Sequence, residues 1–187
     1  MSNRIILGKE TIQRLEDAGE LCIFKYTSKN MFNSYFFGPN ISIKLKNPKV
    51  SWMDANSISF QFDMFTSTSH KSLNLDDVSN NLSLLNLLRD VNSRLVDLYN
   101  NYKDSRGHAD IISRPCIFYE KDNFFYIKCN LPKVNGRYLV SCDDGATFYK
   151  PRIGCVYKYV ILDIRNIWEI NAQDKVGFRL ELKVVSD

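Results

Sequence analysis

Four short runs in the second half of the chain place aromatic rings close to cations. They are Cys116-Ile117-Phe118-Tyr119 after Arg114, Phe124-Phe125-Tyr126-Ile127-Lys128, Phe148-Tyr149-Lys150-Pro151-Arg152 and Tyr157-Lys158-Tyr159. Cations hold phosphates and flat rings hold bases, so residues of these types on a sheet match the chemistry of single-stranded nucleic acid. The stacking candidates are Tyr119, Tyr126, Tyr149 and Tyr157; the phosphate candidates are Lys128, Lys150, Arg152 and Lys158. Lys44 and Lys46 on an earlier strand, with Lys49 just after it, would lengthen the phosphate track. The ordinary alternative is that the Tyr and Phe residues, good strand formers, simply pack, and that the lysines form a solvated face.

Bond-making chemistry has little material. His70 and His108 each stand alone in polar segments without zinc-site spacing, and read as loop histidines. No GxxxxGK, GxGxxG or GxSxG motif occurs. Asp143-Asp144-Gly145 offers a carboxylate pair for a magnesium-dependent enzyme, but an Asp-Gly turn accounts for the same residues. Cys22, Cys116, Cys129, Cys142 and Cys155 are an odd set with no CxxC pair, which argues against a disulfide framework and a zinc ribbon. Most are expected to be buried thiols in a reducing compartment. The expectation is a protein without enzymatic activity, metal or cofactor.

Composition agrees with a folded binder. Charged residues at 25% and hydrophobic ones at 44% mark a globular chain and not a disordered one. A net charge of +4 favours a polyanionic partner without demanding it. The N-terminal segment lacks a secretory core and no apolar run is long enough to cross a bilayer, so a soluble, intracellular (cytoplasmic) protein is expected, with no membrane partner. Abundant Asn, Lys, Ile, Phe and Tyr, whose codons are rich in A and T, hint at an AT-rich genome such as that of a virus or plasmid.

The elements that must position these residues are mostly strands. Ile12, Leu15 and Ala18 predict a short helix over Lys9 to Glu20. Strands follow at Leu21 to Tyr26, Tyr35 to Phe37 and Ile41 to Lys46, with a turn at Gly38-Pro39-Asn40. Ser57 to Met64 alternates cleanly, and is expected to pair antiparallel with the Ile41 run. After a polar loop from Thr66 to Asn74, Leu84, Leu85, Leu88, Val91, Leu95, Leu98 and Tyr102 predict an amphipathic helix within 76–104, with Arg89, Asp90, Arg94 and Asp97 outside. Further strands are expected at Cys116 to Glu120, Phe124 to Asn130, Tyr138 to Cys142, Val156 to Ile164 and Phe178 to Val184. Turns at Asp122-Asn123, Asn135-Gly136, Asp143-Asp144-Gly145 and Asp174-Lys175-Val176-Gly177 separate them. Alternation in Phe124 to Asn130 buries Phe125, Ile127 and Cys129 and turns Phe124, Tyr126, Lys128 and Asn130 outward; Tyr157 and Lys158 fall on opposite faces. The expected fold is mainly β, a single β-rich α+β domain over 1–187: an oligonucleotide-binding Greek-key β-barrel with one long amphipathic helix inserted between strands.

Ile112-Ser113-Arg114-Pro115-Cys116-Ile117-Phe118-Tyr119, with the alternating strand through Lys128 to Lys133, resembles the corresponding region of the poxvirus single-stranded DNA-binding proteins. Ile41-Ser42-Ile43-Lys44-Leu45 has a similar counterpart there. Val160 to Ile164, Ile167-Trp168 and Gly177 to Val184 resemble the terminal strand pair of such proteins in large DNA viruses and some phages. The resemblance implies an oligonucleotide-binding barrel that coats single-stranded DNA, or RNA, without sequence preference during genome replication. Self-association along the strand, through the polar arms around Thr66 to Asn74 or Tyr102 to Arg114, and a replication polymerase or helicase as partner are part of that expectation. This chain ends at Val185-Ser186-Asp187 where those proteins carry an acidic tail, which puts tail-mediated recruitment in doubt. The rival expectation is a non-catalytic structural or interaction subunit of a viral or plasmid replication or transcription complex.

Overall fold

A computed structural model describes residues 4–27, 32–64, 75–106, 115–142, 149–170 and 175–186. The fold is mainly β: of the described residues 51% lie in strands, and two helices occur among them. In chain order the elements are β1 (Ile5–Ile6), α1 (Lys9–Asp17), β2 (Cys22–Thr27), β3 (Phe32–Lys46), β4 (Lys49–Met53), β5 (Ser57–Asp63) and α2 (Leu75–Asp104). There follow β6 (Tyr119–Lys121), β7 (Phe124–Asn130), β8 (Lys133–Val134), β9 (Arg137–Tyr138), β10 (Ser141–Cys142), β11 (Tyr159–Ile170) and β12 (Lys175–Ser186).

Ten strands form one mixed sheet in the order β1-β3-β11-β12-β7-β5-β4, with β2 also on β3, β6 on β7 and β10 on β12; β8 and β9 pair separately. β7 runs parallel to β12 through the partners Asn130 and Glu181, while the β3–β11, β11–β12, β5–β7 and β4–β5 pairs are antiparallel. The outer edge of β4 is also bonded. Val50 N–H donates to the Cys155 carbonyl at 2.9 Å, Gly154 N–H to the Val50 carbonyl at 2.8 Å and Tyr157 N–H to the Pro48 carbonyl at 3.1 Å, so the lead-in to β11 lies along β4.

The period of two along each strand sends one face to a common core. Ile41, Ile43 and Leu45 of β3, Ile58, Phe60 and Phe62 of β5, Phe125, Ile127 and Cys129 of β7, and Val160, Leu162 and Ile164 of β11 are all buried in it. Leu85, Leu88, Val91, Leu95 and Tyr99 of α2 fill it from the other side, as the helical spacing predicts. The short α1 adds Ile12 and Leu15 and is held to α2 by Arg94, which is bonded to Glu16, Gln13 and Asp90 and so belongs to the helix contact and not to the free outer face. Gly19, at φ 65°, ends α1 in the left-handed conformation that glycine adopts without strain.

A polar knot fixes the far end of α2 to the sheet. The Glu169 carboxylate of β11 accepts from Tyr35 Oη at 2.8 Å, Tyr99 Oη at 3.0 Å and Lys103 Nζ. Asn33 Nδ2 adds a longer bond at 3.3 Å. Burial alone would raise the Glu169 carboxyl, but the hydrogen bonds from Lys103, Tyr35 and Tyr99 outweigh it and hold the group below its ordinary value. The Tyr35 and Tyr99 phenols move the other way, pushed up by burial and by the neighbouring carboxylate, and so stay protonated as donors.

Several expectations need correction. The Tyr35 and Ile41 runs form one strand, β3, which passes through Gly38-Pro39-Asn40 as a bulge opposite Arg165 instead of turning. The Ile41 run does not pair with Ser57 to Met64, because the short β4 folds back after Asn47-Pro48 and takes that edge of β5. Lys175-Val176-Gly177 is strand, not turn, since β11 and β12 continue their ladder to Ile170 and Lys175. Of the cysteines only Cys129 is fully buried, and Cys116 is exposed; all five are free thiols. His70, His108, Asp143-Asp144-Gly145 and the Thr66 to Asn74 arm lie outside the described residues, as does residue 107 after the long helix.

Glu169→Gln leaves Lys103 buried without its counter-charge, and denaturant unfolding at pH 7 should show a loss of roughly 3–5 kcal/mol. Because the folded carboxyl titrates below its unfolded value, its contribution is complete above the ordinary carboxylate range and disappears as pH falls through the folded value. The variant should therefore differ most from the parent at neutral pH and converge on it in acid.

Candidate nucleic-acid interface

The face of β4-β5-β7-β6 turned away from the core carries rings and cations in cross-strand rows. Tyr119, Tyr126 and Gln61 are successive partners across β6, β7 and β5, and Gln61 is in turn opposite Lys49 of β4. The next row sets Trp52 opposite Ser59 and Ser59 opposite Lys128. Side chains so paired stand about 5 Å apart, close enough to form one surface. They line a shallow groove of about 520 Å³ bounded by Ser51, Trp52, Ser59, Gln61, Tyr119, Lys121, Tyr126 and Lys128.

Within it the Tyr119 and Tyr126 rings stack with centroids 5.0 Å apart and planes 11° from parallel. Lys128 Nζ lies 5.1 Å from the centre of the Trp52 ring, within cation–π reach. Burial, with lesser contributions from Tyr119, Asp122 and Asp63, raises the Tyr126 phenol above its ordinary value, so it remains neutral. The turns that present these groups are polar. Asp54 Oδ1 accepts from the Asn56 and Ser57 N–H groups, both at 2.7 Å, and closes the β4–β5 hairpin. Asp122, at φ 56°, closes β6–β7.

Ser59 adds a different observation. Its hydroxyl is buried at the groove floor, and among the described residues it has no hydrogen-bond partner. A buried hydroxyl without a partner costs free energy.

The structure brings Tyr119, Tyr126 and Lys128 together and distributes the other sequence-predicted residues elsewhere. Tyr119 is half exposed; Tyr157 is 1% exposed and unavailable as a platform. The Tyr157 ring meets Tyr149 edge to face at 6.1 Å and its hydroxyl accepts from the Arg152 N–H at 3.3 Å. The neighbouring β4 hydrogen bonds place Tyr157 on the core side, because Tyr157 and Lys158 alternate as the sequence pattern requires. Tyr149 is half-buried against the same core. Lys150, Arg152 and Lys158 are exposed near the β11 lead-in without lining the groove. Lys44 and Lys46 point outward from β3, with β11 and β12 standing between β3 and β7; Lys44 Nζ sits 3.7 Å from the centre of the Tyr159 ring.

Trp52, Ser51, Ser59, Gln61 and Lys121 are groove residues that sequence reasoning did not assemble. Alternation already turns Ser59 and Gln61 outward, and a Trp in the polar context Ser51-Trp52-Met53-Asp54 is a signal for a half-wet ring. What was missing was the pairing of β4 with β5. Among the described residues there is no cluster of three metal-ligating side chains, and no helix is long and apolar enough to cross a membrane. No known protein family, curated protein or solved structure matches this chain.

Tyr157→Ala should cost roughly 3–5 kcal/mol in denaturant unfolding, as for other buried rings, whereas Tyr119→Ala should stay within about 0.5 kcal/mol of the parent. Ser59→Ala, which removes an unpartnered hydroxyl, should leave the melting temperature unchanged or raise it.

Proposed function

We propose that this protein binds single-stranded nucleic acid without sequence preference and coats it, as a non-enzymatic component of genome replication. The observation that carries this reading is the groove, where the Tyr119–Tyr126 stack and Trp52 offer ring faces beside Lys128 and Lys121, with Lys49 in register opposite Gln61 on the neighbouring strand. Rings accept any base, and three cations follow the phosphates; neither contact reads base edges.

The strand path supports an oligonucleotide-binding barrel as the finer description of the fold. Counting β3 running into β4 as the first strand, the ladder proceeds through β5, β7, β12 and β11. In chain order the third and fifth of these strands, β7 and β12, are parallel. The β4 edge returns to the β11 lead-in through the Lys49–Val156 bridge, and α2 is inserted between the second and third strands. Such barrels bind along the face of their second and third strands, where the groove lies here.

Titration of labelled oligo-dT at several salt concentrations tests the reading. Tight binding at low salt with a steep log-log salt slope is expected, and Lys128→Gln should reduce that slope by about 0.7. Trp52→Ala and Tyr126→Ala should each weaken binding by about 1–3 kcal/mol. Absence of binding at low salt, or a slope near zero, would sink the proposal.

A further inference from the structure

The outward face of the sheet carries a second cluster of rings, remote from the groove. Phe24 and Tyr26 of β2 are 61% and 63% exposed, and Phe36 of β3 is 38% exposed. Phe24 is the cross-strand partner of Phe36, Phe36 of Asn166 and Asn166 of Arg179. In the adjacent row Tyr26 stands opposite Ser34, Ser34 opposite Trp168 and Trp168 opposite Gly177. The two glycines here leave the space that rings occupy. A Cβ on Gly177 would come within 2.6 Å of the Trp168 ring, and one on Gly38 within 2.8 Å of the Phe24 ring. Phe24, Tyr26 and Phe36 thus expose ring surface on which a base can stack, beside the partly exposed Trp168.

Cations fill the gap between the two clusters. Arg165, Arg179 and Lys183 converge on the single carboxylate of Glu181, at 3.5, 3.2 and 2.9 Å. One carboxylate cannot neutralise three cations, and the Arg165 and Arg179 side chains are 40% and 53% exposed, so positive charge faces solvent here. The parallel pair Asn130–Glu181 sets the alignment with the groove: Lys128 precedes Asn130 by two residues as Arg179 precedes Glu181 by two, both on the outer face. A track therefore runs from Tyr126 and Lys128 across Arg179 and Arg165 to Trp168, Phe36 and Phe24. From β7 to β2 it crosses four strand spacings, roughly 20 Å. Rings separated by uncompensated cations match a polyanion carrying flat groups better than they match an apolar protein surface.

We propose that the same single strand that occupies the groove continues over the β12–β11 cations and is held again on the Phe24, Phe36, Tyr26 and Trp168 platform. This rests on the single-strand-binding reading above and adds a second subsite to it. The chain has only two tryptophans, one in each cluster, so each subsite has its own reporter.

Site sizes for such folds run from roughly 4 to roughly 16 nucleotides, so oligo-dT of roughly 6 lies near the short end and one of roughly 20 exceeds the long end. In a Trp52→Phe variant the long oligonucleotide should quench Trp168 while the short one leaves it unchanged; in a Trp168→Phe variant both should quench Trp52. The combined Phe24→Ala, Tyr26→Ala and Phe36→Ala variant should lose about tenfold or more in affinity for the long oligonucleotide and nothing for the short one. Arg165→Gln with Arg179→Gln should lower the salt slope for the long oligonucleotide by about 1.4. Trp168 emission indifferent to the long oligonucleotide overturns the second subsite, as does a ring variant that weakens both lengths equally, weakens neither, or alters only self-association in sedimentation. Failure of the unsubstituted protein to bind even the short oligonucleotide is a separate result, which removes the groove reading and this one with it.

Discussion

Burial of one sheet face against α2 is the constraint on which the rest of the structure depends. Leu85, Leu88, Val91, Leu95 and Tyr99 share one buried cluster with the sheet, so the long strands turn their apolar sets toward it. A one-residue slip in any strand would exchange its core face for its solvent face. That demand holds Tyr126 and Lys128 outward as firmly as it holds Phe125 and Ile127 inward. The groove is thus a consequence of the core: its residues are those that the core excludes.

The same ion-pair chemistry serves two ends in this molecule, and exposure decides which. Lys103 and Glu169 are almost fully enclosed, with Tyr35 and Tyr99 completing the carboxylate's hydrogen bonds, so the pair locks α2 to the end of β11. Around Glu181 the balance is different. Its carboxylate is equally enclosed, but Arg165 and Arg179 reach it from solvent and outnumber it together with Lys183. Burial would raise the Glu181 carboxyl, yet the Lys183 hydrogen bond and the neighbouring cations hold it below its ordinary value. The cluster consequently keeps its anion charged and still projects a positive surface.

The long helix, β7 and the outward set Tyr126 and Lys128 were legible in the sequence because each depends on local periodicity. Helical spacing from Leu84 to Tyr102 and strict alternation from Phe124 to Asn130 are short-range patterns set by the backbone, and the structure follows them. Tyr157 shows the limit of the same reasoning. An aromatic beside a lysine looks alike on either face, and only the hydrogen bonds of the β11 lead-in to β4 put Tyr157 inward and Lys158 outward. Trp52 shows the converse: its strand is five residues long and bracketed by turns, so its role depends on lying opposite Ser59.

By itself the sequence determined the mainly β class, the helical segment, the inward and outward sets of the cleanest strands, and a mild positive charge, because these follow from composition and from periods of two and 3.6 residues. Only the tertiary structure decided which outward residues become neighbours. The meeting of Tyr119, Tyr126 and Lys128 with Trp52, the parallel alignment of β7 with β12 and the gathering of Phe24, Phe36 and Trp168 all join segments distant in the chain. Strand order and register set those contacts, and they are fixed by packing the sheet face into one core with the long helix, which no local window of residues contains.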